Sequence, residues 1–301
     1  MVKLKGVFCA HWTPVDPDGE VLWEDFERHV DFLVAAGLHG FMALGSTAEF
    51  PHLSINQRKQ ILKRLLRRKL PTIANVSHVS HRTVIALAEH AKESGAHAIA
   101  VLPPWFFPMA QRDVAEFFIT IAKQSAMPLV LYNFPEVTGK KLEIETIRRT
   151  ADAVRVAAVK QSGGEFDFHH KLQALAREMN FSVLTGADTR LEEALKIGCT
   201  GTVSGLANAV PETILHLYKN YASRERPPES RFLSELGKRM SKVEFPLNVK
   251  AAIAARGFET GALKNPASAE TLAAYESLKA DLEKIFSTTP VLREKLTLQP
   301  S

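Results

Sequence analysis

Residues 154–164 read VRVAAVKQSGG: an apolar run, then a lysine, then a glycine pair after two polar residues. A short, near-continuous apolar run marks a strand covered on both faces, and such strands belong to parallel sheets flanked by helices. The lysine does not suit that interior. Its presence has to be explained by where the strand ends.

Outward from this segment the same rhythm repeats. Candidate strands lie at 6–12 (GVFCAHW), 40–44 (GFMAL), 71–76 (PTIANV), 98–102 (AIAVL), 128–133 (PLVLYN), 154–160 (VRVAAVK), 181–185 (FSVLT) and 201–205 (GTVSG), eight in all. Amphipathic stretches run between them: Phe26, Val30, Leu33 and Val34 share one helical face, as do Ile61, Leu62, Leu65 and Leu66, and Val84, Leu87, Ala88 and Ala91. Gly37, Gly95 and Gly198 stand shortly after the last periodic residues, where helices stop. Eight strand–helix units predict an α/β fold, a (β/α)8 TIM barrel, with an open doubly wound sheet as the competing arrangement. Beyond about 222 the strand rhythm stops. SRERPPES (223–230) reads as a linker, and helical patterns follow around 230–243, 246–256 and 268–286. The expected organisation is a catalytic barrel over 1–224 and a C-terminal helical subdomain over 225–301.

With 46% hydrophobic and 24% charged residues, the 301-residue chain has the composition of a globular protein. The net charge is +5, but the densest basic cluster, KRLLRRK (63–69), lies on a leucine-punctuated helix and reads as a solvated face, so no nucleic-acid partner is expected. Cys9 and Cys199 are too few and too far apart for a disulfide framework or a zinc cluster. The segment MVKLKGVFCAHW lacks the apolar core of a signal peptide, and nowhere do about 18 apolar residues run together. A cytoplasmic protein with no membrane partner is expected.

In a barrel, active sites form where strands end and βα loops begin. Lys160 ends the sixth candidate strand and Tyr132 lies near the end of the fifth; neighbouring strands bring the two side chains to one rim. ALGSTAEF (43–50) adds Ser46 and Thr47 on a turn opened by Gly45. An amine, a phenol and two hydroxyls suit Schiff-base catalysis on a ketone: a neutral amine attacks, and burial disfavours the ammonium form. The phenol, with Thr47, can carry protons both ways. Backbone N–H groups and short hydroxyls on the Gly-Ser-Thr turn would cradle the carboxylate of a 2-keto acid. The plainer readings are a lysine reaching solvent, a tyrosine packing in the core and an ordinary turn.

In order along the chain, GSTAE, YNFPEVTG, VKQSGG, LTGAD and GCTGTVSGLANAVPE resemble the dihydrodipicolinate synthase and N-acetylneuraminate lyase family of class I lyases, over residues 6–295. The resemblance implies a (β/α)8 barrel with a C-terminal helical segment, a homotetramer built as a dimer of dimers, and no cofactor. It assigns Lys160 as the Schiff-base lysine, Tyr132 as the proton-transferring phenol, and Ser46 and Thr47 as carboxylate-binding hydroxyls. Val203 would lie beside the lysine with its carbonyl facing the site.

Lysine-pathway synthases carry an arginine five residues after the tyrosine, where it holds a substrate carboxylate; here that position is Val137. YNFPEVTG and LGSTAEF look more like the 2-keto-3-deoxy sugar-acid aldolases and their dehydratase relatives. Two further departures are Ala48, where many members have glycine, and Trp105 and Phe106, where members often have a tyrosine that joins the proton relay across a subunit interface. The expected function is therefore a Schiff-base lyase on a small-molecule 2-keto acid, either an aldolase releasing pyruvate or the dehydratase. Condensation of pyruvate with aspartate semialdehyde and a non-catalytic keto-acid-binding barrel are the rivals.

Other residues have open roles. Asp188 binds a distal hydroxyl or caps the helix beginning near Thr189, and Gly186 lets substrate approach the backbone. His78 is expected at the pocket mouth, bonding sugar hydroxyls; its neighbour His81 lacks carboxylate or thiolate company, so no metal is expected. Glu136 either repels anionic tails or is simply solvated. Trp105, Phe106 and Phe107 in LPPWFFPM are expected at a subunit contact or, second, in the pocket wall.

Overall fold

The computed structural model describes residues 4–222 and 227–289; residues 223–226 of the expected linker and the tail from 290 lie outside the described residues. Eight parallel strands close into a barrel in chain order: β1 (Gly6–Ala10), β2 (Gly40–Ala43), β3 (Thr72–Asn75), β4 (Ala98–Val101), β5 (Leu129–Asn133), β6 (Val156–Gln161), β7 (Ser182–Thr185) and β8 (Gly201–Ser204). The seam closes with Gly6 opposite Gly201 and Phe8 opposite Val203. The fold is a (β/α)8 TIM barrel. Apart from Ala157, every strand residue is buried, which is why the strands read as apolar runs without alternation.

Around the strands lie α1 (Trp23–Ala35), α2 (Ile55–Leu66), α3 (His81–Glu93), α4 (Gln111–Ser125), the single turn α5 (Pro135–Thr138), α6 (Ile144–Ala153), α7 (Phe168–Met179), α8 (Leu191–Ile197) and α9 (Pro211–Asn220). The local chemistry agrees with these limits. Ser54 and Gln57 form a reciprocal capping box at the start of α2. Gly37, Gly95 and Gly198 adopt φ of 90°, 86° and 116° at the ends of α1, α3 and α8. The strand expected over 6–12 stops at Ala10 because the next loop has other partners: the N–H of Trp12 donates to Asn208 Oδ1 at 3.0 Å.

Three helices follow near the expected positions: α10 (Pro228–Met240), α11 (Leu247–Ala255) and α12 (Ala269–Thr288). α12 buries Tyr275, Leu278, Leu282 and Phe286, a spacing of one helical face. The connection from α11 to α12 runs back onto the barrel mouth. There Trp12 Nε1–H donates to Thr260 O at 3.1 Å and the N–H of Ala262 to Val15 O at 2.7 Å.

Candidate active site

β5 and β6 pair with Tyr132 opposite Lys160 and Asn133 opposite Gln161. Side chains alternate across a strand, so each pair shares a face. Asn133 Nδ2 donates to Gln161 Oε1 at 2.7 Å, and Asn133 Oδ1 accepts the N–H of Leu142 at 3.0 Å, which binds this pair to the loop after α5. Tyr132 and Lys160 take the other face and line a cavity of about 450 Å³ at the C-terminal mouth of the barrel. Both are buried, at 1% and 4% exposure, with Lys160 Nζ 4.0 Å from the centroid of the Tyr132 ring. No protein acceptor takes a hydrogen bond from that amine among the described residues.

A short 3-10 turn, Ser46–Ala48, brings the hydroxyls to the phenol. Ser46 Oγ and Tyr132 OH are hydrogen-bonded at 3.1 Å, with either able to donate, and Thr47 lines the cavity. Leu44 and Glu49, just outside the turn, adopt φ of 62° and 52°. Left-handed backbone costs a residue with a Cβ on the order of 1–2 kcal/mol. Gly45 precedes the turn and is not among the residues lining the cavity; a Cβ there would make only ordinary contacts with Ala10 and Met42.

Val203, Gly186 and Asp188 also line the cavity, with differences from expectation. Asp188 does not cap its own helical turn. Its Oδ2 accepts the N–H of Leu206 at 2.9 Å, tying the β7 loop to the turn after β8, while its Oδ1 is buried with no hydrogen-bond partner among the described residues. Burial pushes the carboxyl up to about 6, opposed by the Leu206 N–H, Ser204 and the charge of Lys160. Gly186 answers to its neighbour before any substrate: a Cβ there would lie 2.1 Å from Ser162 Oγ.

His78 is not brought to the cavity. Its Nδ1 accepts the N–H of Ser80, the residue that caps α3, at 2.9 Å, and burial holds its pKa below the usual value. Nor do Trp105, Phe106 and Phe107 form the wall of the cavity within one chain; Phe106 and Phe107 are 73% and 72% exposed. Glu136 is neither loose nor turned toward the cavity, because its Oε1 accepts the N–H of Gly164 at 2.6 Å and joins the β5 and β6 loops.

Among the lining residues that sequence reasoning missed are Phe166, Arg190 and Leu206, and two further groups. Phe134 and Ser162 lie two residues beyond Tyr132 and Lys160, so the period of the strand would have found them. Met240, Phe245, Asn248 and Val249 come from α10, α11 and the link between them, and carry no local signal of where they dock.

The closed barrel thus carries an amine and a phenol at adjoining strand ends. The chain belongs to the dihydrodipicolinate synthetase family, whose model matches residues 3–285. An uncharacterized DapA-like lyase of Halobacterium salinarum is 31% identical, covering 93% of this chain and 94% of the relative. A 4-hydroxy-tetrahydrodipicolinate synthase of Staphylococcus carnosus is 30% identical, covering 84% of this chain and 87% of that one. The crystal structure of dihydrodipicolinate synthase from Thermotoga maritima superposes with a TM-score of 0.82 at 26% identity, covering 94% of this chain and 99% of that one.

Proposed function

We propose that this lyase forms a Schiff base between Lys160 and a 2-keto acid, and that it is a 2-keto-3-deoxy sugar-acid aldolase or the related dehydratase. The observation that carries the reading is the Lys160–Tyr132–Ser46 arrangement: an amine open to the cavity, 4.0 Å from a phenol ring whose hydroxyl is bonded to a serine. The neutral amine attacks the C2 carbonyl, and the carbinolamine loses water to give the imine. Tyr132 moves the protons of both steps, with Ser46 as its partner, and Thr47 with Ser46 holds the carboxylate. In the aldolase, the C3–C4 electron pair passes into the imine as the C4 hydroxyl loses its proton. The aldehyde departs, and the enamine is protonated at C3 and hydrolysed to pyruvate. In the dehydratase, loss of a C3 proton first gives the enamine, which then expels the C4 hydroxyl as water and leaves a C3=C4 unsaturated imine that hydrolyses to release the keto acid. A cavity of about 450 Å³ has the size of a small-molecule site and room for a substrate longer than pyruvate.

Condensation of pyruvate with aspartate semialdehyde has the Staphylococcus relative's name in its favour. Against it stands Val137, 48% exposed on α5, which cannot pair with a carboxylate. A coupled assay with both substrates decides between them. The proposed assembly is a homotetramer in which a second copy covers Phe106 and Phe107. Cys9 and Cys199, both buried free thiols, suit the reducing cytoplasm proposed as its compartment.

The test is peptide mass spectrometry after incubation with pyruvate and borohydride. A reduced adduct on Lys160, absent from Lys160→Ala, is the expected result. An adduct elsewhere, or none with pyruvate and longer 2-keto acids, removes the reading. Thermal stabilisation by those acids without an adduct would then favour a barrel that only binds them.

A further inference from the structure

The turn that carries Ser46 and Thr47 is bracketed by two residues in left-handed backbone, and each is held from outside the turn. Conformations of this kind persist where surrounding contacts over-determine them. For Leu44 the hold comes from the sheet: Asn75, the last residue of β3, donates from Nδ2 to Leu44 O at 2.6 Å. For Glu49 it comes from 215 residues away. Lys264, between α11 and α12, donates from Nζ to Glu49 Oε1 at 3.1 Å and to Thr13 O at 2.8 Å, and lies 4.3 Å from the centroid of a Trp12 ring. The two side chains of the pair are 3% and 12% exposed, so solvent screens it little.

Glu49 also ends the turn, its N–H donating to Ser46 O at 3.0 Å. A shift of Glu49 therefore moves the backbone of Ser46, whose hydroxyl meets Tyr132. Lys264 is well placed to prevent that shift because its own segment is clasped. Lys250 Nζ donates to the carbonyls of Thr260, Gly261 and Ala262, and Trp12 and Val15 bind the same stretch.

We propose that Lys264 is a positioning residue for the reaction: by pinning Glu49 it holds the Ser46–Thr47 turn in register with Tyr132. Lys264 is not among the residues lining the cavity and acts through Glu49. The role rests on the Schiff-base reading, so its test includes one readout that does not depend on it.

The variants are Lys264→Met, Lys264→Arg and the double variant Glu49→Gln/Lys264→Met. The double variant leaves no unpaired charge buried and serves if the single one fails to fold. Hydrogen exchange is followed at the amides of Ala48 and Glu49, which close the turn onto Gly45 O and Ser46 O. Alongside it, the rate of borohydride trapping is measured at saturating pyruvate. Loss of the lysine is expected to speed exchange at these two amides about tenfold, with β5 and β6 unchanged. Trapping should slow by about tenfold to a hundredfold, and arginine should restore most of it. A merely structural tie would lower the melting temperature and leave the two amides and the trapping rate of the folded protein unchanged; that result overturns the proposal. No adduct in the unaltered protein overturns the Schiff-base reading instead, and the exchange rates alone then decide whether Lys264 holds the turn.

Discussion

Two lysines near the barrel mouth are almost equally buried, Lys160 at 4% and Lys250 at 3%, and they are surrounded by opposite chemistry. Lys250 gives its ammonium protons to three backbone carbonyls. Burial and the neighbouring Lys264 charge pull its pKa down to about 8, which leaves it mainly protonated at neutral pH. Among the described residues Lys160 has no such acceptors, and it faces the cavity beside an aromatic ring. Burial does not distinguish the two; the groups around each amine do. The difference extends to the two sides of the mouth. On one side, the β2 loop and the ends of β5 and β6 bring Thr47, Tyr132 and Lys160 to the cavity. On the other, the loops after β1, β7 and β8 are tied to one another, Asp188 Oδ2 to Leu206 and Asn208 to Ala10, Trp12 and His29, although Asp188 also lines the cavity.

The strongest test of this division changes one atom on the reactive side. Tyr132→Phe keeps the ring against Lys160 and removes the hydroxyl bonded to Ser46. Turnover and trapping rate are expected to fall by about 10² to 10⁴ with stability nearly unchanged. Lys250→Met should do the reverse. It strands three carbonyls, that of Thr260 buried and those of Gly261 and Ala262 half-buried, so the free energy of unfolding in urea is expected to drop by about 3 kcal/mol. The pyruvate adduct should still form on Lys160 to full stoichiometry, more slowly as the Lys264 segment loosens. If Lys250→Met abolished the adduct while Tyr132→Phe kept its rate, the division would be reversed.

The barrel was legible because strands covered on both faces leave continuous apolar runs, and eight of them close a ring. The meeting of Tyr132 and Lys160 was legible because neighbouring strands end at one rim. The Asp188–Leu206 bond was not, since a carboxylate placed to cap its own turn accepts an N–H from any segment brought to it, and this partner lies 18 residues onward. His78 looked available because nothing in NVSHVSHRT says that Ser80 consumes its ring nitrogen. The docking of α10 and α11 over the cavity left no trace either: an amphipathic pattern reveals that a face is buried and not what it is buried against. The same holds for Lys264 and Glu49, two ordinary charges until the fold joins them.

The holding side of the mouth also has its own response to acid. His29 donates from Nε2 to Asn208 O at 2.8 Å, and its ring lies 5.2 Å from that of His11, whose nitrogens have no hydrogen-bond partner among the described residues. Burial lowers both, His29 to about 4, so both are neutral in the folded protein at neutral pH. An unfolded histidine titrates near 6.5, so for His29 the unfolded chain binds the extra proton between about 6.5 and 4. The contribution is complete above 6.5, falls as the pH drops through this window and levels off below 4. Asp188 acts in the opposite sense: with its folded pKa raised to about 6, its contribution is lost as the pH rises through 6 and regained in acid. Separating the two needs variants. His29→Gln keeps a donor for Asn208 but cannot titrate, so the stability difference between it and the unaltered protein should narrow by about 1 kcal/mol from pH 7 to pH 5.5. Asp188→Asn should steepen the acid loss over the same range. Urea unfolding at the two pH values measures both, and a difference for His29→Gln that does not change with pH would mean that this side of the mouth admits a charge and water as the reactive side does.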